Sequence, residues 1–228
     1  MVPVPEGAFQ MGCNAEVDDT CNEDEFPYHE VFLDSFAIGR TEVSQSQYQA
    51  CVDAGQCTEP GTGSDCQQEP LGGNMPVVCV SWFAARDYCE FRSGRLPTEA
   101  EWEKAARGVD GARFPWGDGE PDCNLAAYND CTGREPIESN PGGASPYGAL
   151  NMAGNVYEWT SDWYQSTYYV GSPAENPQGP DSGERRTIRS ASSNYNADSM
   201  RASVRGPDYE INEETGTPVV GIRCAADL

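Results

Sequence analysis

Ten cysteines and a single histidine, His29, are set in a chain of 228 residues. No C-x-x-C pair occurs. Structural zinc sites are built from such pairs with histidines, so these thiols are not spaced for zinc. An even count with short separations is the pattern of a fold stapled by disulfides in an oxidising compartment. Local spacing favours Cys13–Cys21, Cys51–Cys57, Cys66–Cys79 and Cys123–Cys131, and leaves Cys89 and Cys224, far apart in sequence. Ten cysteines admit about 945 connectivities, so other pairings stay open on spacing alone. Disulfides imply a secreted, periplasmic or cell-surface protein. Met1 runs straight into V-P-V-P-E-G, so an export signal is expected to have been removed or to lie outside this sequence.

Charge narrows the partners. Asp and Glu number 37 against 14 Lys and Arg, a formal net charge of −23. Such a field repels phosphate backbones and anionic lipid and attracts cations, including Ca²⁺; it also serves solubility alone. Nucleic-acid binding is not expected, and no segment is long and apolar enough to span a bilayer. Five Trp, eleven Tyr and seven Phe supply core volume. The 24 Gly and 17 Pro are scattered rather than gathered into linkers. No repeat or domain boundary emerges, and the reading is a single α+β domain over residues 1–228, rich in irregular loops.

Local patterns place the regular elements. Residues 7–12 read as an edge strand and 30–38 as one alternating strand. Ser44 and Gln47 form a capping box ahead of a helix over 45–54, stopped by Gly55. Ser81 caps a helix over 82–92, given bulk by Phe83, Tyr88 and Phe91. Thr98 and Glu101 form a second capping box before a helix with Trp102, Ala105 and Ala106 on its buried stripe and Gly108 as its stop. Residues 58–74 are polar, glycine-rich and expected irregular. Short strands are expected at 76–80, 187–189, 200–204 and 219–223, and no helical periodicity after Phe114.

The segment G-A-L-N-M-A-G-N-V-Y-E-W-T-S-D-W-Y over 148–164 sets Asn151, Asn155, Glu158 and Asp162 among glycine and aromatic residues. Oxygen ligands on a glycine-relaxed loop suit a hard cation such as Ca²⁺. A polar turn capped by aromatic packing reads the same residues without a metal. His29 supports no Ser–His–Asp set, and in so acidic a chain no carboxylate pair stands out as general acid and base.

The order of motifs resembles the formylglycine-generating enzyme (sulfatase-modifying factor) family. The matching pieces are G-A-F-Q-M-G at 7–12, E-V-S at 42–44, P-V-V-C-V-S-W at 76–82, G-R-L-P-T-E-A-E-W-E-K-A-A-R-G at 94–108, F-P-W-G at 114–117, G-N-V-Y-E-W-T-S-D-W at 154–163, M-R-A-S-V-R at 200–205 and G-I-R-C-A-A-D at 221–227. The resemblance implies a single domain similar to the C-type-lectin-like fold. It implies a calcium ion held by the Asn151 side chain, the carbonyls of Gly154 and Val156, and the Glu158 carboxylate. A second family calcium site maps onto Asn124, Leu125 and Asp130 across a shorter loop. The resemblance also pairs Cys89 with Cys224, and sets Ala106 and Ala202 where converting enzymes have another disulfide.

One departure bears on function. The converting enzymes hold Cu(I) with two cysteines in the stretch before the final arginine-rich strand, and thiolates suit that soft ion. Here the stretch is R-S-A-S-S-N-Y-N-A-D-S-M-R, without cysteine, so no copper is expected. Cys123 and Cys131 fit a local disulfide better than a relocated copper pair. By the resemblance, Asn194, Tyr195, Asn196, Asp198 and Arg201 line the substrate groove, where they bind a polar ligand or simply fill the surface. The leading expectation is a secreted, calcium-stabilised, non-catalytic domain presenting that surface to a peptide, protein or glycan. The alternative is an oxidase or maturation factor of the same family acting on a cysteine-containing or other small substrate. A purely structural extracellular domain is the third reading.

Overall fold

A computed structural model describes residues 1–61, 66, 73–131, 133–206, 214 and 216–228. Along it come β1 (Val2–Val4), β2 (Gly7–Met11), β3 (His29–Leu33), β4 (Phe36–Ile38), α1 (Gln45–Asp53), α2 (Trp82–Phe91), α3 (Glu99–Arg107), β5 (Tyr157–Trp163), β6 (Arg186–Arg189), β7 (Val220–Gly221) and β8 (Ala225–Asp227). The strands form three small sheets. One is antiparallel with order β1-β4-β8, which puts the first and last strands in one sheet, on either side of β4. The second is the β2-β3 ribbon, with Gly7 opposite Leu33 and Met11 opposite His29. The third sets β5 between antiparallel β6 and parallel β7.

The helices start where their caps require. Ser44 Oγ accepts the Gln47 N–H at 3.2 Å while Gln47 Oε1 accepts the Ser44 N–H at 2.9 Å. Thr98 and Glu101 repeat this at 3.1 and 2.8 Å. Each box satisfies amides that a helix leaves without intrahelical partners. Every residue of α3 is buried, because β2, β3, β4, β5 and β6 all pack on it. Trp102 of α3 joins a core with Phe9, Phe36 and Met152, and a second core gathers Tyr48, Tyr88, Trp159 and Val220. Five disulfides tie these layers: Cys13–Cys21, Cys51–Cys57, Cys66–Cys79, Cys89–Cys224 and Cys123–Cys131. No helix among the described residues is long and apolar enough to cross a membrane.

Four expectations are corrected. The strand expected over 30–38 is two strands in different sheets. The break at Asp34 is held by Asn176, which accepts its N–H at 2.9 Å and donates to its carboxylate at 3.0 Å. Residues 76–80 form only an isolated bridge, Pro76 to Ser44, because Cys79 turns through φ 60°. Residues 200–204 are not a strand; their approach is a 3-10 turn over Ala197–Met200, and Arg201 and Ser203 are drawn to Glu25 instead. Phe83 and Phe91 are exposed, and α2 buries Trp82, Ala84, Ala85, Tyr88 and Cys89. The irregular stretch expected at 58–74 lies largely outside the described residues.

Candidate functional site

The turn before β5 is left-handed at Asn151 (φ 55°), Gly154 (φ 83°) and Asn155 (φ 66°). Asparagine and glycine tolerate this conformation best, and a Cβ at Gly154 would lie 2.3 Å from the Ala127 carbonyl. The Asn151 amide nitrogen donates to Glu42 at 2.9 Å and to the Ile137 carbonyl at 3.2 Å. These two acceptors fix the amide's orientation, and among the described residues its Oδ1 accepts no hydrogen bond. Asn155 donates to the other Glu42 oxygen at 2.8 Å. Glu158 takes Arg223 through both oxygens, at 2.8 and 2.7 Å, and the Trp102 indole N–H at 2.6 Å. A carboxylate offers about four acceptor positions, so these three donors leave about one.

Electrostatics at this turn are unbalanced. Glu42 and Glu158 are both buried, and Arg223 is the guanidinium between them. Burial pushes the Glu42 carboxyl up to about 7, with Glu158 adding to the shift and Arg223 and Asn151 opposing it. An all-oxygen donor set, an amide oxygen without a donor and a carboxylate in excess of the cations fit a calcium ion. Asn151, Gly154, Val156 and Glu158 are the residues that would hold it, with Glu42 behind them. The Gly154 carbonyl also accepts from Ser190 Oγ at 3.2 Å. Asp162, grouped with these oxygens on sequence, is not among them: its Oδ2 accepts the Glu99 N–H at 2.8 Å at the start of α3.

The second expected metal set is less convergent. Asn124 and Asp130 are exposed on the loop closed by Cys123–Cys131. The Leu125 carbonyl is packed so closely on Gly143 that a Cβ there would lie 1.8 Å away. The described residues include all ten cysteines, and none is free. A thiolate Cu(I) centre does not fit residues whose sulfurs are all in disulfides.

The expected groove residues divide. Tyr195 packs edge-on against Tyr157, ring centroids 5.4 Å apart. Asn196 caps the 3-10 turn by accepting the Ser199 N–H at 3.2 Å, Asp198 lies 3.4 Å from Arg113, and Asn194 is exposed. Arg201, expected on the surface, is buried instead: it pairs with Glu25 at 2.6 and 2.8 Å and donates to the Thr20 carbonyl, anchoring the acidic loop over 13–26. His29 is likewise occupied, Nδ1 lying 2.7 Å from the Pro27 carbonyl and Nε2 3.3 Å from Ser172 Oγ.

Beside Tyr195 opens a cleft of about 740 Å³, lined among others by Glu23, Asp24, Tyr157, Tyr164, Ser199 and Arg205. Sequence reading missed Asp24, Tyr164 and Arg205 as site residues. Tyr164 and Arg205 lie in or beside segments already singled out, but nothing in their spacing says that they meet Asp24. The Tyr164 hydroxyl donates to Asp24 Oδ2 at 2.8 Å. Burial raises the Asp24 carboxyl above its ordinary range, against the Tyr164 bond and the Arg205 charge. Arg205 itself is spent: it holds both oxygens of Glu99, at 2.8 and 3.0 Å, and the Asp24 and Gln165 carbonyls, each at 3.1 Å. Burial works against the Glu99 charge, but Arg205 and Arg189 hold its carboxyl below the usual range.

Comparison with known proteins agrees with this architecture. The family described as the Sulfatase-modifying factor enzyme 1-like domain matches residues 1–228. Hercynine oxygenase of Mycolicibacterium smegmatis is 32% identical over all of this chain, which spans 61% of that protein. Formylglycine-generating enzyme of Thermomonospora curvata is 33% identical, again over the whole chain and 93% of its own length. The structure of PvdO from Pseudomonas aeruginosa superposes with a TM-score of 0.83 at 24% identity, over 99% of this chain and 93% of that one.

Proposed function

The chain belongs to the sulfatase-modifying factor enzyme 1-like family, and we propose that it is an enzyme of the oxidase or maturation-factor kind, acting on a cysteine-containing peptide or another small polar substrate in the Asp24–Tyr195 cleft. The names of its relatives, hercynine oxygenase and formylglycine-generating enzyme, favour this over a purely binding domain. The cleft carries the reading: an acid of raised pKa, bonded to a phenol, faces a cavity of about 740 Å³. Perturbed acids in clefts mark proton-transfer sites. Asp24 would hold or accept the substrate's proton, with Tyr164 fixing its carboxylate. The sealed cysteines support the leading sequence expectation, a non-catalytic binder, as the second reading.

Aerobic incubation with a panel of peptides and small polar molecules, read by mass spectrometry, separates the two. Turnover of one class is expected, and Asp24→Asn should lower kcat/KM by about 10²-fold or more without changing the folded spectrum. Binding in the cleft with no mass change would sustain the second reading instead. The five disulfides suggest an oxidising compartment, and secretion, periplasmic or cell-surface residence is part of the proposal. So is calcium at Asn151, Gly154, Val156 and Glu158, holding the turn beneath β5 rather than taking part in chemistry. Chelation should then lower Tm and added Ca²⁺ restore it; an unchanged Tm removes calcium from the account.

A further inference from the structure

A second groove, of about 620 Å³, is lined by the end of α3, the turn over 112–117 and the segment 142–147. Its size is that of small-molecule sites, roughly 300–1,000 Å³, and it shares no lining residue with the Asp24–Tyr195 cleft. Pro115 and Trp116 form the tip of a turn in which Phe114 and Gly117 exchange both backbone hydrogen bonds at 3.0 Å. The Trp116 indole is fixed in two further ways. Its ring stacks on buried Phe114, centroids 5.1 Å apart and planes 6° from parallel, and its N–H donates to the Gly119 carbonyl at 2.8 Å. Phe114 covers one face of the indole and leaves the other to the groove. A platform so held loses little freedom when a ligand settles on it. Pro146 and Tyr147 stand in the same lining.

The side chains of this lining offer acceptors and few donors. Arg107 is buried, pairs with Glu103 at 3.0 Å and donates to the carbonyls of Gly12, Gly111 and Ala112. Asp110 is exposed and, among the described residues, has no hydrogen-bond or ion-pair partner. The Tyr147 hydroxyl is likewise without one, and burial, reinforced by the Asp110 charge, raises its pKa. A matching ligand brings hydroxyl donors at its edge and an apolar face for Trp116. A neutral pyranose ring has both. The aromatic face carries the negative part of the ring's quadrupole and meets polarised C–H bonds favourably. An anionic sugar would meet Asp110 and the chain's −23 field instead. A polyproline segment would also stack, but its prolines bring only carbonyl acceptors, for which these side chains have no free donor besides Tyr147. We infer that the groove binds a neutral sugar of a glycan, with one ring stacked on Trp116 and its hydroxyls donating to Asp110 and Tyr147. The site is separate from the chemistry proposed for the Asp24–Tyr195 cleft and does not depend on it.

The test applies the labelled full chain to an array of neutral oligosaccharides of glucose, galactose, mannose and N-acetylglucosamine, then titrates the best binder by calorimetry. A proline-rich peptide and a tetramethylammonium salt are titrated alongside. At least one oligosaccharide should bind. Trp116→Ala should weaken it by about tenfold or more. Asp110→Ala, at an exposed position where folding is not at stake, should weaken it by about threefold to tenfold. Phe83→Ala, which removes an exposed aromatic ring outside the groove, should leave it unchanged. Binding by none of the sugars overturns the inference. So does binding that survives both groove variants, or that is lost on Asp24→Asn instead, which would place the sugar in the other cleft. Trp116-dependent binding of the peptide or the ammonium ion, with none of any sugar, gives the groove a different ligand and also overturns it.

Discussion

Asp162 serves the fold at the N-terminus of α3, where its carboxylate accepts the Glu99 N–H at 2.8 Å and the Ser161 hydroxyl at 3.0 Å. A helix N-terminus favours negative charge, but burial, with the neighbouring Glu99 charge, pushes the Asp162 carboxyl up to about 7. The unfolded carboxyl titrates near its ordinary 3.8. Between those values the native state holds a proton that the unfolded chain has released. Stability contributed by this residue is therefore full at low pH and falls as pH rises through the window, by at most about 1.4 kcal/mol per pH unit. Urea unfolding at pH 5.5 and 7.5 should show wild type losing more stability on going up in pH than Asp162→Asn. Equal pH dependence in the two would contradict the buried, raised carboxyl. Asp162 also shows where a sequence pattern misleads: four oxygen-bearing residues share one segment, but β5 carries this one away to a helix end, and only the pairing of strands decides that.

Elements with local signals were legible. Both capping boxes stand where Ser44 and Thr98 put them, because a cap is a contact between residues three apart. Thr98→Ala should cost about 1 kcal/mol in urea unfolding, and Thr98→Ser only a few tenths. A cost below that of Ser would mean that packing by the surrounding strands, not the cap, fixes the start of α3. Strand β5 was not legible: glycine and asparagine before it mask its start, and Tyr157 to Trp163 are so buried that the alternation of a half-exposed strand is lost. The cleft was legible only in part. Tyr195 was expected there, but Asp24 comes from an acidic loop with no pattern of its own, brought in by Arg201 reaching Glu25 across 176 positions. Contacts of that range leave no trace in spacing.

At the scale of the whole molecule, small sheets and much irregular chain leave the disulfides to limit the unfolded state. Cys89–Cys224 spans 135 positions and ties α2 to the start of β8, which pairs with β4, whereas Cys51–Cys57 spans 6. Loop-closure entropy gives the long bridge about 5 kcal/mol and the short one about 2 kcal/mol. Cys89→Ala/Cys224→Ala should thus lower unfolding free energy more than Cys51→Ala/Cys57→Ala; the reverse order would put the constraint elsewhere. A framework so stapled can keep the Asp24–Tyr195 cleft open without long strands beneath it. Whether that cleft is the working face is tested most directly by hydrogen–deuterium exchange of the full chain with and without a compound that it turns over or binds in the panel of peptides and small polar molecules. Protection should fall on residues 22–24, 164–167 and 195–206. Protection confined to the groove formed by residues 107–117 and 142–147, or none at a saturating concentration of that compound, would contradict it.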